Sequence, residues 1–386
     1  MISTLAVENY RSLRTLVVAL GRLNVVTGAN GVGKSNLYRA LRLLADAARG
    51  GAVAALAREG GLPSALWAGP EKAGRAQPTV RSGPVSLRLG FGGDDFGYAV
   101  DFGYPVADQS SMFMLDPEIK CEAVWSGPVL RPAAVLSERT GPVVRVRDAD
   151  GGWHQAAHGE LRPYDSMLSE LADPQRAPDI LAVREHIRSW RFYDHVRTDA
   201  QAPARWPQVG TRTPVLSSDG SDLAAAVQTI REIGDHEALD RAVESAFPGS
   251  RLEVANYEGR FEVRLRQHGL LRPLGAAELS DGTLRYLLWA AALLTPRPPR
   301  LLVLNEPETS LHPDLLPALA ELVVTASTRT QVLVVTHARP LADAITKQAE
   351  HTGTDLRTIE LVKDVGATEV EDQGILDRPS WHWPKR

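Results

Sequence analysis

The chain has 386 residues, 44% hydrophobic and 23% charged, which indicates a globular protein of one elaborated domain or two and argues against intrinsic disorder. Its formal net charge of −4 excludes a uniformly basic nucleic-acid-binding protein, although arginine greatly outnumbers lysine and could form local patches. The single cysteine, Cys121, cannot form an internal disulfide, and the longest apolar runs are too short to span a membrane, so a soluble cytoplasmic protein is predicted.

A glycine-rich loop follows the third of three strands predicted at the start of the chain, at residues 2–8, 15–20 and 23–27. It reads Gly28-Ala-Asn-Gly-Val-Gly-Lys34-Ser35, matches the pattern G-x-x-x-x-G-K-[ST], and leads into a predicted helix that ends near Ala48. Glycines allow successive N–H groups to point at phosphates, and a helix start adds its positive dipole end. We therefore predict an ATP or GTP site, with Lys34 at the β- and γ-phosphates and Ser35 on Mg²⁺. The predicted nucleotide-binding residues of the loop are Gly28, Ala29, Asn30, Gly31, Val32, Gly33, Lys34, Ser35 and Asn36.

The middle of the chain lacks the alternation of strand and helix expected of a parallel sheet. Residues 50–83 are rich in Gly, Pro and Ala with weak periodicity, which predicts a loop. Short strands with hairpin spacing are predicted next, at residues 85–91, 96–102, 119–125, 129–136 and 143–147. Helical spacing follows at residues 166–171, 180–190, 222–233 and 236–247, and two more strands at residues 251–257 and 260–267. We therefore predict a nucleotide-binding core that is split by an insertion.

Buried strands return at residues 301–304 and 331–335, and each is followed by polar residues. The first leads into Asn305-Glu306-Pro307-Glu308 and the second into Thr336-His337. Parallel strands present such side chains at their carboxyl edge. Taken alone, the first run is equally consistent with a core strand that enters a loop.

The segment Leu279-Ser280-Asp281-Gly282-Thr283 precedes a strongly helical stretch at residues 284–294. Ser280 and Gly282 are placed to cap that helix, and a helix N-terminus with small residues can bind an anion. On its own, the segment is better explained by a plain capped helix.

The order of these motifs resembles that of the ATP-binding-cassette superfamily: phosphate loop, signature motif, Walker B strand, D-loop at Ser310-Leu-His-Pro313, and switch histidine. Within it, the chain is similar to the soluble RecF-like and SMC-like heads, including ATPases of the overcoming-lysogenization-defect type and the bacterial "predicted ATPase" group. The opening segment at residues 7–13, Val-Glu-Asn-Tyr-Arg-Ser-Leu, resembles their N-terminal strand motif. Neither Gln109 nor Gln155 is distinguished as the family's Q-loop glutamine, which stays unassigned.

This resemblance implies an α/β fold of the P-loop NTPase, ABC-ATPase type, whose core is split by an inserted antiparallel β subdomain and an α-helical lobe. The N-terminal half of the core would occupy residues 1–50, and the loop and antiparallel subdomain residues 51–160. The helical lobe with a β hairpin would occupy residues 161–270. The C-terminal half, with the signature, Walker B, D-loop and switch histidine, would occupy residues 271–386.

The resemblance also implies that two copies sandwich two ATP molecules, so that ATP joins the homodimer. Each ATP would be bound by the loop of one copy and capped by Ser280 and Gly282 of the other. Glu306 would be the general base, and His337 would contact the γ-phosphate. A satisfied polar side chain at a strand end is the alternative for His337.

Ser35 and Asn305 are the residues implied for Mg²⁺. Asn305 stands where the family has an acidic residue, and an amide in place of a carboxylate removes one charge from the surroundings of the metal. A slow ATPase is therefore expected. Arg11, in the N-terminal motif, is either a phosphate or DNA contact or a solvated surface residue.

Two classes of function are compatible with the sequence. One is an ATPase switch that acts on DNA in repair, chromosome maintenance or defence. The other is a switch or assembly subunit that binds a protein partner through the helical lobe, with ATP binding more important than hydrolysis. A transporter motor is disfavoured, because no membrane segment is visible in the sequence.

Overall fold

The computed structural model describes residues 1–70, 84–106, 111–148, 150–156, 160–171, 173–194 and 196–386. The chain forms two compact units. The first comprises Met1–Gly21, Gly28–Trp190 and Ile359–Arg386, and the second Arg22–Thr27 and Arg191–Thr358. Within the described part of the chain, none of the helices combines the length and apolarity that a membrane crossing needs.

The strands alternate with helices most regularly in the C-terminal half. In chain order the strands are β1 Ile2–Tyr10, β2 Leu13–Ala19, β3 Leu23–Thr27, β4 Leu87–Gly93, β5 Phe96–Gly103, β6 Glu118–Ser126, β7 Val135–Thr140, β8 Val143–Arg147, β9 Trp153–Gln155, β10 Arg191–Tyr193, β11 Gln208–Val209, β12 Arg251–Tyr257, β13 Arg260–Arg266, β14 Leu274–Gly275, β15 Leu301–Asn305, β16 Gln331–Val335, β17 Leu356–Asp364 and β18 Ala367–Val370. The α-helices are α1 Lys34–Ala48, α2 Ala52–Arg58, α3 Gly61–Ala65, α4 Met167–Glu170, α5 Pro178–Arg188, α6 Leu223–Ile233, α7 His236–Ala246, α8 Asp281–Leu293, α9 Leu316–Ser327 and α10 Arg339–Thr352.

An antiparallel sheet dominates the first unit, with the strand order β2-β1-β4-β5-β6-β7-β8-β9. Strand β1 pairs with β2 on one side and β4 on the other, so that Leu5 lies opposite both Val18 and Phe91. Helix α1 buries the apolar residues Leu37, Leu41 and Leu44, which recur at helical spacing. The inserted antiparallel strands thus continue the sheet that β1 and β2 begin.

A parallel sheet forms the centre of the second unit, where β10, β15, β16 and β3 lie side by side in that order. The four residues Leu301–Leu304 are all buried, as expected of a strand covered on both faces. Helices α8 and α9 contribute buried apolar residues to the same core. Because the strands are parallel, their carboxyl ends lie at one edge of the sheet.

The predicted elements of both units are largely confirmed, and β3, β12 and β16 have the predicted bounds. Two predictions are wrong. The stretch after residue 50 is not all loop, since Ala52–Arg58 and Gly61–Ala65 are helical; alanine and leucine favour a helix although glycines flank them. The strand predicted at residues 129–136 begins only at Val135, because a 3₁₀ turn occupies Pro132–Ala134 and proline lacks the N–H that a ladder needs.

Both compact units combine residues from several of the four segments predicted from the sequence, and that four-part division stays a prediction. The C-terminal hairpin of β17 and β18 was not predicted at all. Residues 71–83, in the predicted loop, and Gln109 lie outside the described residues. Gln155 is exposed at the end of β9, where it pairs with Arg145.

Candidate active site

The side chain of Lys34 folds back onto the loop that precedes it. Its Nζ donates to the carbonyl oxygens of Gly28 at 2.6 Å and Ala29 at 3.0 Å, and the residue is only 6% exposed. The loop residues Ala29, Asn30 and Gly31 are exposed, as is Ser35 in the first turn of α1. The ammonium group therefore lies within the curve of a loop whose outer side is open to a ligand.

Gly33 occupies a position where a side chain has no room. Its φ of 116° is one that L-residues rarely adopt, and a Cβ atom there would lie 2.1 Å from Oγ1 of Thr368 and 2.7 Å from Oγ of Ser12. Gly31 also has a positive φ, of 80°, but a Cβ atom there would meet nothing within 4 Å. The constraint at Gly33 is therefore steric as well as conformational.

The hydroxyl groups of Thr368 and Ser12 make hydrogen bonds that support the loop. Thr368, on β18, donates through Oγ1 to the Val32 carbonyl at 2.5 Å, and its Oγ1 lies 2.7 Å from Oγ of Ser12. Ser12, in the turn between β1 and β2, also accepts from Nδ2 of Asn36 at 2.8 Å. The N-terminal motif and the C-terminal hairpin thus hold the loop together.

Arg11 is neither a solvated side chain nor a free contact for phosphate. Its Nε and Nη2 donate to Oε2 of Glu59 at 3.0 and 2.8 Å, and the Tyr10 hydroxyl donates to the same carboxylate at 2.8 Å. Burial opposes the charge of Arg11, but the Glu59 carboxylate outweighs it and raises the pKa of the guanidinium. Arg11 therefore serves the packing of the N-terminal hairpin within the first unit.

In the second unit, the residue that directly follows strand β15 has a strained backbone. Glu306, directly after the strand, has a φ of 49°, although it is not glycine, and its N–H donates to the Val335 carbonyl of β16 at 2.8 Å. Backbone strain of this kind costs on the order of 1–3 kcal/mol and is often found at functional sites. The side chain of Glu306 is 44% exposed, so its carboxylate is accessible to solvent.

His337, after β16, lies beside two carboxylates. Its Nδ1 is 3.5 Å from Oε1 of Glu306 and 3.4 Å from Oε1 of Glu308. The same Glu308 oxygen accepts from the Thr336 hydroxyl at 2.6 Å and from the N–H groups of His337 and Ala338, each at 3.2 Å. Glu308 therefore fixes the backbone on which His337 sits, and the predicted catalytic residues Glu306 and His337 are brought together.

Helix α8 begins at Asp281, three residues earlier than predicted, so that Ser280 caps it as predicted but Gly282 lies within its first turn. Oγ of Ser280 accepts from the N–H of Thr283 at 3.1 Å, which makes Ser280 the N-cap. A methyl group at Gly282 would lie 3.0 Å from the Ser310 carbonyl of the D-loop. Further along the helix, the indole N–H of Trp289 donates to the Pro307 carbonyl at 2.9 Å. The signature helix is therefore packed against the segment that follows Glu306.

Three residues of the site were missed by the sequence analysis. Glu308 could have been noticed, because it is a second acid only two positions after Glu306. Ser12 lies within the N-terminal motif at residues 7–13, but its residue type alone does not indicate a role. Thr368 carries no local signal, since its partner Val32 is 336 positions away.

The residues at the carboxyl edge of β15 suit a hydrated cation. Oδ1 of Asn305 and Oε2 of Glu308 are buried and have no hydrogen-bond partner among the described residues. Oxygen ligands of this kind suit Mg²⁺, which usually takes one or two protein ligands together with waters and phosphates. In the first unit, the curved loop with a buried lysine suits a phosphate chain. Each set of residues, taken by itself, therefore fits one part of a magnesium nucleotide.

Solved structures similar to this chain include three SMC heads. "Crystal structure of the SmcHead bound to the C-winged helix domain of ScpA" shares 14% identity, covers 96% of each chain and has a TM-score of 0.49. "SMC head domain from Thermotoga maritima" shares 15% identity, covers 97% of this chain and 99% of that one, and has a TM-score of 0.45. The Smc head bound to a ScpA domain "derived from Pyrococcus furiosus" shares 14% identity, covers 96% and 95%, and has a TM-score of 0.47.

No curated protein matches the sequence. A protein family described as "AAA domain, putative AbiEii toxin, Type IV TA system" matches residues 23–342, which is well over half of the chain. The match includes the glycine-rich loop, the signature segment, β15 and His337, and it confirms the predicted α/β P-loop fold class. The chain therefore belongs to this family, and it carries a P-loop ATPase domain of the AAA type.

Proposed function

We propose that the protein binds ATP, hydrolyses it slowly and dimerises around it, so that hydrolysis resets a molecular switch. The observation that carries this proposal is the position of Glu306. Its exposed carboxylate follows a buried strand in a strained conformation and lies 3.5 Å from Nδ1 of His337. A carboxylate held in this way suits a general base that activates water.

On this proposal, Lys34 exchanges the carbonyls of Gly28 and Ala29 for the β- and γ-phosphate oxygens. Both carbonyls can then be solvated, because the outer side of the loop is open. The N–H groups at the start of α1 add hydrogen bonds to the phosphates. The glycine-rich loop thus supplies binding and orientation.

Glu306 accepts the proton of the attacking water, and His337 contacts the γ-phosphate through the ring nitrogen that faces away from Glu308. Asn305 and Ser35 would hold Mg²⁺, which when bound neutralises phosphate charge. The amide of Asn305 provides an oxygen ligand without a negative charge. Turnover is therefore slow, and the ATP-bound state is long-lived.

The decisive experiment compares Glu306→Gln with Glu350→Gln, an exposed glutamate at the end of α10, as the matched control. Glu306→Gln should keep ATP affinity but lose about 10²- to 10⁴-fold in turnover, the usual contribution of a general base. It should also accumulate as an ATP-bound dimer in sedimentation, while the control behaves as wild type. A protein that stays monomeric with ATP would rule out the sandwich.

DNA is the partner class that we propose first. A defence role is supported by the family description, which includes a toxin of a toxin–antitoxin system. ATPase turnover should then rise when DNA is added. We would measure it without DNA and with single-stranded, linear duplex and nicked duplex DNA, at fixed ionic strength because such binding depends on salt. No response to any form would favour the second class.

The second candidate is a protein-partner switch, and one observation in the first unit favours it. Val106, Met112, Phe113 and Leu115 are 62–96% exposed, and they lie at or beside a cavity of about 630 Å³ that Tyr164 also lines. Exposed apolar clusters often mark binding sites for proteins. This surface lies in the segment that follows β5, rather than in the predicted helical lobe.

A further inference from the structure

Arg205 is a cation within the second unit that is only 6% exposed, and each of its three guanidinium nitrogens donates at least one hydrogen bond. It ends the short 3₁₀ turn Pro203–Arg205. Its Nε donates to the carbonyls of Thr198 (2.9 Å) and Asp199 (3.1 Å), its Nη1 to those of Ala276 (3.1 Å), Ala277 (3.3 Å) and Leu279 (2.7 Å), and its Nη2 to Oδ1 of Asp281 (2.6 Å). One guanidinium thus holds the backbone that leads into the signature helix α8.

The bond to the Leu279 carbonyl has a consequence for the next residue. In a planar trans peptide the carbonyl and the following N–H point in opposite directions. Because the Leu279 carbonyl points to Arg205, the N–H of Ser280 points away from it. Ser280 is exposed, and the first N–H groups of a helix have no intrahelical acceptor. Arg205 therefore sets the direction in which the start of α8 presents its donors.

Arg205 also compensates an unfavourable charge. Asp281, the first residue of α8, is 59% exposed, and a free carboxylate there would repel an approaching phosphate. The ion pair with Nη2 holds that carboxylate and cancels its charge. Lysine could supply the charge, but it lacks the planar fork that reaches the carbonyls and the carboxylate together.

We propose that Arg205 is a positioning residue that presets the signature segment to receive the γ-phosphate of an ATP held by a second copy. This inference rests on the proposed ATP-dependent dimer. Arg205 touches neither the nucleotide nor the reacting atoms, and it acts through Leu279 and Asp281. It should therefore affect dimerisation and leave ATP binding by the single chain unchanged.

The test places Arg205→Lys in the Glu306→Gln background, where the ATP-bound dimer should accumulate. Dimerisation is measured by sedimentation over a range of protein concentrations, and ATP affinity with a fluorescent analogue at a concentration that keeps the chain monomeric. Arg205→Lys should weaken the dimer about tenfold to hundredfold, the effect of losing one or two hydrogen bonds from a charged donor, with ATP affinity unchanged within about twofold. Arg212→Lys, at an exposed arginine paired with Glu232, is the control and should dimerise as the background does.

Three outcomes would overturn the inference in different ways. If the Glu306→Gln background itself stays monomeric with ATP, the proposed function fails and the inference fails with it. If the background dimerises and Arg205→Lys dimerises equally well, only the role of Arg205 is refuted. If Arg205→Lys weakens the dimer and ATP affinity together and lowers the urea midpoint, its role is merely structural.

Asp281→Asn keeps the inference testable if Arg205→Lys does not fold. The new amide oxygen can still accept from Nη2 of Arg205 and the carbonyl bonds of Arg205 remain, so the chain should still fold. Because one negative charge is removed, dimerisation should be as tight as in the background or tighter. A tenfold weaker dimer would show that Asp281 itself binds the ligand, and would contradict the compensating role of Arg205.

Discussion

Replacing Gly33 with alanine tests whether the C-terminal hairpin supports the phosphate loop. The new Cβ atom would lie 2.1 Å from Oγ1 of Thr368, and the φ of 116° would be strained for any L-residue. Gly31→Ala is the matched control, because it places alanine at a φ of 80° with nothing within 4 Å. The difference between the two variants reports the steric contacts with Thr368 and Ser12 together with the difference in φ.

The expected magnitudes differ clearly. Conformational strain alone should cost Gly31→Ala about 1–2 kcal/mol of unfolding free energy. Gly33→Ala adds overpacking, typically about 1–3 kcal/mol, so its total should be about 2–5 kcal/mol. Urea denaturation of the first unit gives both values, and a fluorescent ATP analogue should show a larger loss of affinity for Gly33→Ala.

Combining Gly33→Ala and Gly31→Ala, each in turn, with Thr368→Ala tests the contact directly, through the coupling free energy of the double-mutant cycle. Removing Oγ1 relieves the contact at 2.1 Å, so Gly33→Ala and Thr368→Ala should be non-additive, with a coupling of about 0.5–3 kcal/mol. Gly31→Ala and Thr368→Ala should be additive. Equal losses for Gly31→Ala and Gly33→Ala, or no coupling at Gly33, would refute the role of the hairpin.

Further variants address the lysine, the amide and the second acid. Lys34→Ala should abolish binding of a fluorescent ATP analogue, while Lys347→Ala, exposed on α10, should bind as wild type; unchanged affinity in Lys34→Ala would remove the loop from the site. Asn305→Asp restores a carboxylate and should lower the Mg²⁺ concentration for half-maximal ATPase activity, so an identical requirement would show that position 305 does not support the metal. Glu308→Ala leaves the Thr336 hydroxyl and the His337 N–H without an acceptor, at about 1–3 kcal/mol for each one that is buried, and should lower turnover more than Glu308→Gln; equal turnover would contradict a positioning role.

Local patterns predicted the loop and the strand edge well. The pattern from Gly28 to Ser35 requires particular residues at fixed spacing, and a strand covered on both faces must be apolar until it ends. The position of Asn305 and Glu306 at the edge of the sheet could therefore be predicted from the sequence. The contact between Glu306 and His337 was not predicted, but the structure explains it, because adjacent parallel strands end at the same edge.

The supporting contacts could not be predicted, because they join distant residues through groups that have no distinctive sequence. A threonine such as Thr368 becomes a loop support only when the fold places its hydroxyl beside Val32. Arg205 likewise binds mainly backbone carbonyls, which every residue possesses. The helix at Ala52–Arg58 was missed for a different reason: its good helix formers are bounded by glycines that indicated a loop.

Because Thr368 supports the loop, the loop cannot reach its final structure until Thr368 has been synthesised. Residue 32 is added to the nascent chain 336 residues before Thr368. At about 5–20 residues per second, this delay lasts about 15 to 70 s. Strand β3 likewise waits for its neighbour β16, a pairing of high contact order that slows folding. During this interval the nascent chain carries the phosphate loop without the support of Thr368, and we expect nucleotide to stabilise the loop fully only after the β17–β18 hairpin has formed.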